Sequence, residues 1–412
     1  MTNPAKPVAD ALRRVLGDVP VAVEAFDGSL SGPPDAGIRV RVRSPRALNY
    51  LITSPGELGL ARAFVAGDLE VDGDLHDTLE LLTTDLVGDV PWLERLRALQ
   101  ELGLGTLRPL PPPPEEVRLH GWRHSKRRDS RAISHHYDVS NRFYEWVLGP
   151  SMAYTCAVFP TAGSTLEQAQ EAKHDLVARK LGLAPGMRLL DVGCGWGGMV
   201  VHAAQEYGAM ALGVTLSRQQ AEFAQKRIAD LGLSDLAEVR YCDYRDVEET
   251  GFDAVSSIGL TEHVGQRELP LYFTRLYARL RPGGRMLNHC ITRPTTTQRV
   301  KSSGFIPRYV FPDGELMGVG AIASVMQNAG FELRHMENLR EHYALTLDRW
   351  CANLDANWDD AVAEVGANRA RVWSLYMAGS QVAFEHNHIQ LHQLLGVRTK
   401  DGVADYPLRA QF

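Results

Sequence analysis

The stretch from residue 189 to residue 198, Leu-Leu-Asp-Val-Gly-Cys-Gly-Trp-Gly-Gly, constrains the fold of this chain more than any other. Apolar residues lead into a cluster of glycines, and residues 199–204 then have a helix-like composition. Glycines let a tight turn adopt positive φ and let a ligand approach the bare backbone. We therefore predict a strand, a turn and a helix start, a pattern that suits a dinucleotide, a nucleoside or no ligand.

Strand-like and helix-like segments alternate after residue 187. The predicted strands are residues 187–192, 209–215, 237–242, 252–258 and 285–291, and the predicted helices are residues 199–207, 217–231 and 271–280. This rhythm predicts an α/β fold with a mainly parallel sheet and helices on both faces. Ligands of such sheets bind outside the carboxyl ends of the strands, so polar residues there are the candidates for a site.

The chain before residue 132 has a different pattern. Residues 37–42 alternate between apolar and polar types as in a half-buried strand, and residues 58–66 read as a short helix. Four successive prolines at residues 111–114 form a stiff spacer. We predict a small α+β accessory domain over residues 1–106, a Pro-rich and basic linker over residues 107–131, and a second domain over residues 132–412.

Charge and cysteine pattern exclude several classes of protein. The net charge of −6 argues against a nucleic-acid partner. The five cysteines are widely spread and contain no CxxC pair, which argues against a disulfide scaffold or a zinc site and for a reducing compartment. The N-terminus lacks a signal-peptide core, and no apolar run approaches the roughly 20 residues that span a bilayer. We therefore predict a cytoplasmic protein.

A basic stretch follows the prolines. Its members are Arg118, Arg123, Lys126, Arg127, Arg128 and Arg131, interrupted by one acid, Asp129. One interpretation is a solvated surface loop. The other is a patch for anionic lipid headgroups, worth about 1 kcal/mol per basic residue near a charged membrane. The second interpretation predicts a peripheral protein on the inner face of the membrane.

The residues around the glycine turn discriminate between cofactors. In a nicotinamide enzyme, an acid about 20 residues past the glycines binds the adenosine ribose. Here the second strand ends at Thr215 without an acid, and the spacing Asp191-x-Gly193-x-Gly195 differs from GxGxxG. Both observations agree with the first motif of S-adenosylmethionine-dependent methyltransferases, in which this turn, including Gly197, covers the amino-acid part of the cofactor.

The ends of the second and third strands offer further cofactor contacts. Thr215 and Gln220 are candidates for neutral hydrogen bonds to the ribose, whereas the alternative for Thr215 is a helix N-cap, a role that Ser217 can also fill. Asp243 and Tyr244 lie where a methyltransferase contacts adenine. The alternative for these two residues is a simple turn.

Seven ordered segments resemble the cyclopropane-fatty-acyl-phospholipid synthases and related lipid methyltransferases. They are residues 135–141, 152–156, 190–198, 213–217 with Gln220, 243–246, 262–265 and 309–314. The region before residue 107 also resembles the small accessory domain of that family. The resemblance implies a Rossmann-like enzyme that methylates an unsaturated phospholipid acyl chain with S-adenosylmethionine.

The same resemblance implies the residues of the site. In the family a bound bicarbonate serves as the base, and the positions that hold it match Cys156, Glu262, His289, Ile291 and Tyr343. The cofactor contacts match Tyr154, Thr155, Asp191, Gly193, Gly195, Gly197, Thr215, Gln220, Asp243, Tyr244 and Ile258. Thr261 stands where the family usually has an aromatic residue, and this change leaves open whether bicarbonate, Glu262 or another group is the base.

Thr261 and the sequence Asn-His-Cys-Ile-Thr at residues 288–292 resemble an actinobacterial branch that makes tuberculostearic-type lipids. That branch methylates C10 of an oleoyl chain to a 10-methylene product, which a separate reductase saturates. A cyclopropane product is the alternative. A lipid-binding module, which would not need the cofactor motifs, and a methyltransferase for soluble small molecules are the competing classes.

The remaining segments follow the predicted sheet. Residues 293–318 are predicted to form a substrate-facing loop and lid, and the aromatic side chains Phe305, Tyr309 and Phe311, with Ile306 and Val310, either line an acyl tunnel or belong to an ordinary core. Residues 347–364 and 372–395 read as long amphipathic helices that serve for packing or as the surface of a homodimer.

Overall fold

The computed structural model of the protein describes residues 7–16, 19–54, 56–84, 109–117, 140–297 and 304–412. These residues form two compact units. The first unit draws on residues 1–118, 301–312 and 358–382, and the second on the rest of the chain. The predicted basic patch at residues 118–131 and the matching segment at residues 135–139 lie outside the described residues.

The first unit contains a four-stranded sheet. Its strands are β1 (Val21–Ala25), β2 (Leu30–Ser31), β3 (Ile38–Val42) and β4 (Leu69–Asp72), in the order β2-β1-β3-β4 with only the β1–β3 pair parallel. Its first helices are α1 (Val8–Leu16), α2 (Pro45–Thr53), α3 (Glu57–Val65) and α4 (Leu75–Thr84). In β3 the apolar residues are buried and the two arginines are half-buried, as the alternating sequence predicts.

The second unit is built on an eight-stranded sheet. Its strands are β5 (Arg188–Val192), β6 (Met210–Thr215), β7 (Ala237–Tyr241), β8 (Phe252–Ile258), β9 (Leu280–Arg293), β10 (Met317–Gly318), β11 (Glu332–Asn338) and β12 (Gln390–Val397). They follow the order β11-β12-β9-β8-β5-β6-β7, with β10 paired to β9. The strands from β5 to β9 on this path are parallel, and β12 is antiparallel to both its neighbours. The predicted α/β class is confirmed.

The remaining helices of the described residues belong to both units, and residues 306–309, 358–365 and most of 367–385 lie in the first unit. In chain order they are α5 (Asn141–Leu148), α6 (Leu166–Leu181), α7 (Gly198–Tyr207), α8 (Arg218–Asp230), α9 (Thr261–Val264), α10 (Leu269–Arg279), α11 (Ile306–Tyr309), α12 (Val319–Asn328), α13 (Arg340–Ala356), α14 (Trp358–Val365) and α15 (Ala367–Glu385). One apolar cluster packs α6, α7 and α8 against one face of the sheet, and a second packs α10 and α12 against the other. None of the helices in the described residues is long and apolar enough to cross a bilayer.

The C-terminal region corrects one prediction. Residues 372–395 were expected to be helical throughout, but α15 ends at Glu385 and β12 begins at Gln390. Residues 391–397 are all buried because β12 lies between β11 and β9 inside the sheet. The buried polar residues His392 and Gln393 interrupt its apolar sequence, so β12 shows neither the alternation of a half-buried strand nor a continuous apolar run.

The first unit includes segments that follow the sheet of the second unit in sequence. They are residues 301–312 and 358–382, which were predicted to lie within a contiguous domain over residues 132–412. Within the first unit, the buried carboxylate of Glu116 accepts hydrogen bonds from Nε and Nη2 of Arg62 and from Nη1 of Arg308, all at 2.8 Å. The buried rings of Phe305 and Tyr309 stack at 5.1 Å. The assignment of these two aromatic residues to a core or to an acyl tunnel stays a prediction.

We expect Glu116→Gln to lower the free energy of unfolding by about 3 kcal/mol, because two guanidinium groups would lose a buried counter-charge. Burial alone would raise the pKa of Glu116, but the hydrogen bonds from Arg62 and Arg308 outweigh it and hold that pKa below its usual value. The stabilisation is therefore present at neutral pH and is lost as the pH falls through the lowered pKa. Urea unfolding measures the effect.

Glu115→Gln is the matched control, since this neighbouring side chain is only half-buried and its contact with Asn368 is long, at 3.5 Å. We expect it to change the free energy of unfolding by less than about 0.5 kcal/mol. Equal stability of the two variants would show that the Glu116 cluster contributes nothing.

Candidate active site

The glycine turn connects β5 to α7. Gly193, Gly195 and Gly197 have positive φ, at +73°, +55° and +80°, where residues with a Cβ are strained. A Cβ at Gly195 would meet no atom within 4 Å, whereas one at Gly197 would lie 3.0 Å from Cβ of Ala224 in α8. The turn is thus packed at the start of α7 and leaves an open cradle at Gly195.

Asp191 lies in β5 just before this turn. Its side chain is buried, and Oδ1 accepts a hydrogen bond from Oγ of Ser256 at 2.6 Å. Burial raises the pKa of Asp191 to about 6, although the Ser256 hydrogen bond and the charge of Lys173 oppose that shift. A positive group that approaches Asp191 would therefore stabilise its ionised form.

Lys173 in α6 is a buried lysine that was not predicted from the sequence. Its Nζ donates to Oγ1 of Thr155 and to Nε2 of His174, both at 3.0 Å. Burial lowers the pKa of Lys173 to about 8, while Cys156 and Asp191 act in the opposite direction. An ammonium has three N–H donors, and these two acceptors are its only hydrogen-bond partners among the described residues.

A signal for Lys173 was present in the sequence. Residues three, four and seven apart share one face of a helix. That spacing places Lys173 and Lys180 on the same face as Leu166 and Val177, and all four are buried. Two lysines on an otherwise apolar helical face indicate buried acceptors.

The segment at residues 153–156 lies over the end of β8. Nε2 of Gln170 in α6 donates to the carbonyl oxygens of Ala153 and Thr155, at 3.2 and 2.9 Å. A Cβ on Gly259 would lie 2.9 Å from Cγ2 of Thr155, so only a glycine fits after Ile258, the last residue of β8. The ring of Tyr154 lies 5.3 Å from that of Trp350. Thr155 therefore lies beside the end of β8, and the cofactor contacts of Tyr154, Thr155 and Ile258 stay predictions.

Thr215 and Ser217 both form local hydrogen bonds at the end of β6. Ser217 is the N-cap of α8, since its Oγ accepts from the backbone N–H of Gln220. Oγ1 of Thr215 accepts from the backbone N–H of Ser217 at 3.2 Å and donates to Oε1 of Gln220 at 2.7 Å, and the side chains of Thr215 and Gln220 are buried. Thr215 and Gln220 thus form a neutral polar pair at the carboxyl end of the strand.

Asp243 and Tyr244 form a turn after β7. The Asp243 carboxylate accepts three hydrogen bonds from Arg245, namely from the backbone N–H at 2.9 Å, from Nε at 2.8 Å and from Nη2 at 2.6 Å. The ring of Tyr244 lies edge-on to that of Tyr272, at 5.1 Å. The turn that was the alternative interpretation of these residues is present, at the strand end where a contact with adenine was also predicted.

Glu262 in α9 and Ile291 in β9 are in direct contact. Oε1 of Glu262 accepts a hydrogen bond from the backbone N–H of Ile291 at 2.7 Å. Burial raises the pKa of Glu262 to about 7, against the lowering effect of hydrogen bonds from Ile291 and Thr261. A buried carboxyl that titrates near neutrality is suited to accept a proton.

Cys156 and Tyr343 share one hydrogen-bond acceptor at the start of α13. The carbonyl oxygen of Leu339 accepts from the Tyr343 N–H at 3.3 Å and from Sγ of Cys156 at 3.8 Å. The Leu339 N–H donates to Leu391 at 2.9 Å, and Leu391 pairs with Ile291 across the sheet. Burial raises the pKa of the Cys156 thiol, so it is protonated at neutral pH and acts as a donor.

His289 completes the set of predicted anion-site residues. It is buried in β9, and its Nδ1 lies 3.1 Å from Nε2 of Gln393 in β12. Its other nitrogen, Nε2, is buried without a hydrogen-bond partner among the described residues. The Leu339–Leu391–Ile291 contacts and the hydrogen bond between Glu262 and Ile291 link four of the five residues. His289 lies two residues before Ile291 on β9.

A buried polar cluster lies beside Glu262. Oγ1 of Thr261 lies 3.5 Å from Oε2 of Glu262 and 3.5 Å from Oδ1 of Asn288, and Nδ2 of Asn288 lies 3.2 Å from Sγ of Cys290. These contacts join Thr261, Asn288 and Cys290 into one group. Thr261 departs from the expected family pattern, and Asn288 and Cys290 belong to the distinctive segment at residues 288–292.

Together, the parallel sheet, the open glycine cradle and the acid-free end of β6 define the protein as an S-adenosylmethionine-dependent methyltransferase of Rossmann-like fold. The family model for mycolic acid cyclopropane synthetase matches residues 124–394, and the chain belongs to that family. The expectation drawn from the sequence is confirmed at the level of a lipid-modifying methyltransferase.

Two relatives match nearly the whole chain. A probable fatty acid methyltransferase of Mycobacterium tuberculosis is 54% identical over 95% of this chain and 95% of its own length. A tuberculostearic acid methyltransferase of the same organism is 32% identical over 94% of this chain and 90% of its own. The crystal structure of a mycolic acid cyclopropane synthase complexed with SAH and CTAB superposes with a TM-score of 0.61 and 32% identity, covering 65% of this chain and 97% of that one.

The open cradle leads to a prediction for Gly195→Ala. The added methyl group meets no protein atom, so the loss of stability should be limited to the left-handed backbone strain of about 1 kcal/mol. The methyl group would, however, occupy the space into which the cofactor approaches the backbone. We expect S-adenosylhomocysteine to bind at least about tenfold more weakly, or by about 1.4 kcal/mol, in calorimetry.

Gly186→Ala is the matched control for this prediction. Gly186 also has a positive φ, at +80°, and a methyl group added there would meet no atom within 4 Å, but this glycine precedes β5 at the opposite end of the strand. The variant should show the same strain with unchanged cofactor affinity. Equal affinities of Gly195→Ala and Gly186→Ala for S-adenosylhomocysteine would show that the turn at Gly195 does not contact the cofactor.

Proposed function

We propose that the protein transfers a methyl group from S-adenosylmethionine to the double bond of an oleoyl-type phospholipid acyl chain and forms a 10-methylene product. The observation that carries this proposal is Glu262, a buried carboxyl with its pKa raised to about 7 at the same sheet edge as the glycine cradle. Transfer of a methyl group to an alkene leaves a proton to be removed, and this carboxyl is suited to that task.

The residues that would hold the cofactor surround the cradle. Gly193, Gly195, Gly197 and Asp191 suit its amino-acid part, the Thr215–Gln220 pair suits the ribose, and Asp243 and Tyr244 suit the adenine. Tyr154, Thr155 and Ile258 close the site over the end of β8. When bound, S-adenosylmethionine supplies an electrophilic methyl group on a sulfonium.

The site residues would then govern the fate of the substrate. Methylation of an oleoyl chain at C10 leaves positive charge at C9. A 1,2-hydride shift from C10 to C9 moves the charge to C10, and loss of one proton from the new methyl group forms the methylene. Glu262 either takes that proton or accepts a hydrogen bond from a bicarbonate that takes it, with Cys156, His289, Ile291 and Tyr343 as the remaining partners of that anion.

The Thr261 cluster supports the methylene product over the alternative, a cyclopropane. Closure to a ring uses the cation at C9 directly, and an aromatic face is one way to stabilise such a cation in place. Thr261 offers a hydroxyl instead, in contact with Glu262 and Asn288. A tuberculostearic acid methyltransferase at 32% identity matches 94% of this chain, whereas a cyclopropane mycolic acid synthase at 33% identity matches 65% of it, and this longer match adds support.

Product analysis tests this proposal. The purified protein is incubated with S-adenosylmethionine and vesicles of oleoyl phospholipid, and the fatty acid methyl esters are analysed by mass spectrometry. The methylene and cyclopropane products are isomers of equal mass, so the esters are also treated with ozone, which converts a methylene into a ketone and leaves a ring intact. A ketone at C10 is expected.

Vesicles of stearoyl phospholipid, which lack the double bond, are the matched control and should give no product. An ozone-resistant product would replace the methylene assignment with a cyclopropane. Cofactor binding without any change in the oleoyl chain would remove the acyl-chain substrate from the proposal.

The remaining partners follow from the substrate. A phospholipid substrate requires contact with a membrane, and the basic residues 118–131 suit the anionic headgroups of an inner membrane face. A methylene product requires a separate reductase to become a saturated branched chain. Co-sedimentation with anionic but not zwitterionic vesicles is expected, and sedimentation velocity measures whether the protein is a homodimer.

A further inference from the structure

A chain of three buried side chains leads from α6 to His289. Nζ of Lys180 donates to Oε1 of Gln393 at 2.7 Å and also contacts the carboxylate of Glu337. Nε2 of Gln393 lies 3.1 Å from Nδ1 of His289. Lys180, Gln393 and His289 are all buried, and they come from three different elements, α6, β12 and β9.

The ammonium of Lys180 determines the direction of every hydrogen bond in this chain. Lysine has donors and no acceptor, so the atom of Gln393 that faces it is the carbonyl oxygen. The amide nitrogen of Gln393 therefore faces His289 and donates to it. A nitrogen that accepts a hydrogen bond carries no proton, so Nδ1 of His289 is unprotonated.

The proton of the neutral imidazole must then reside on Nε2. Imidazolium is excluded because both of its nitrogens are donors and Nδ1 already accepts a hydrogen bond. Burial and the charges of Lys173 and Lys180 also hold the pKa of His289 well below its usual value. Nε2 is the buried nitrogen without a partner in the described part of the chain, so it carries an N–H donor that no described residue accepts.

We propose that Lys180 and Gln393 are positioning residues that fix the proton of His289 on Nε2, so that this nitrogen donates a hydrogen bond to an anion of the carboxylate or bicarbonate type bound beside Glu262. This inference rests on the proposed function for the identity of the reaction. Its geometric part stands on the Lys180–Gln393–His289 contacts alone. Lys180 and Gln393 fix the proton on Nε2 of His289 without contacting the anion themselves.

The test is ¹⁵N NMR of the histidine side chains in the full-length protein, with the His289 signals assigned by their loss in His289→Gln. The wild-type protein should show one neutral tautomer with the proton on Nε2. In Gln393→Glu the new carboxylate pairs with Lys180 and accepts from His289, so the proton should move to Nδ1. Turnover on oleoyl phospholipid should fall at least about tenfold in this variant.

Gln390→Glu is the matched control, since it introduces the same charge in the same strand at a side chain that contacts Asn387 rather than His289. It should leave the tautomer and the turnover unchanged. Lys180→Met is the second variant if Gln393→Glu does not fold, and it should give a mixture of tautomers because the Gln393 amide is then free to reverse.

A wild-type tautomer with the proton on Nδ1, or a tautomer unchanged in Gln393→Glu, would overturn the proposal. A switched tautomer with unchanged turnover would overturn the use of this donor in the reaction. A wild-type protein with the expected tautomer but no activity on oleoyl phospholipid would count against the proposed function alone, because the NMR measurement requires no substrate.

Discussion

Glu262→Gln is expected to lower turnover on oleoyl phospholipid by roughly a hundredfold or more, the usual contribution of a general base. The amide oxygen of the variant can still accept the Ile291 N–H that Glu262 accepts at 2.7 Å, so the local structure should persist. The amide has no basic site for a proton. Calorimetry with S-adenosylhomocysteine should therefore show unchanged affinity while product formation falls.

The dependence of the rate on pH provides a second measure of the same residue. Because the pKa of Glu262 is raised to about 7, the carboxyl is protonated below that pH and ionised above it. The wild-type rate should rise through about pH 7, and this rise should be missing from the residual rate of Glu262→Gln. Glu332→Gln, which removes a half-exposed carboxylate paired with Arg334, serves as the control and should behave as wild type. A wild-type profile without that rise would exclude Glu262 as the titrating group.

Lys173→Met is expected to weaken the binding of S-adenosylhomocysteine at pH 7 by at least about tenfold. The substitution leaves the buried Asp191 without its positive neighbour and removes the hydrogen bond to Thr155 that orders the segment over β8. Methionine keeps a similar length and apolar volume. Calorimetry measures the affinity. Thermal unfolding of the variant and the wild type shows whether burial of the Lys173 amine destabilises the fold.

The alkaline side of the binding profile identifies the Lys173 ammonium. Its pKa is lowered to about 8, so the charge is present below that pH and lost above it. The titratable groups that face it are Cys156, Asp191, His174, His202 and His289. Wild-type affinity should fall as the pH rises through about 8, and affinity in Lys173→Met should not. Lys226→Met, at an exposed position of α8, is the control. A profile shared by wild type and Lys173→Met would assign the titration to another group.

The parallel half of the large sheet was predictable because each of its strands is an apolar run that ends in turn residues. The glycine turn was predictable because residues with positive φ at such a position are usually glycines. β12 was missed because its buried sequence carries no alternation, and the partners that define it as a strand, β9 and β11, are distant in sequence. Strand pairing over such a separation is a tertiary property.

The residues of the candidate site also fall into a predicted group and a group that was not predicted. Glu262 follows the end of β8, and His289 and Ile291 lie near the carboxyl end of β9, where parallel sheets place their ligands. The resemblance to a family supplied Cys156 and Tyr343. The roles of all five residues stay predictions. The buried supports were not predicted. Lys180 and Gln393 are 213 residues apart, so their contact exists only after the sheet and α6 have assembled. The only local trace of such contacts is a lysine on an apolar helical face.

The discontinuous first unit has a consequence for the order of folding during synthesis. Arg62 and Glu116 emerge early from the ribosome, but their partner Arg308 and the helices of residues 358–382 follow after most of the second unit. The core of the N-terminal segment is therefore incomplete until these later residues have been synthesised. Because its contacts are long-range, folding should be slow and chaperones should bind the exposed apolar surface. Deletion of the helices of residues 358–382 should therefore destabilise residues 1–118 before it destabilises the second unit.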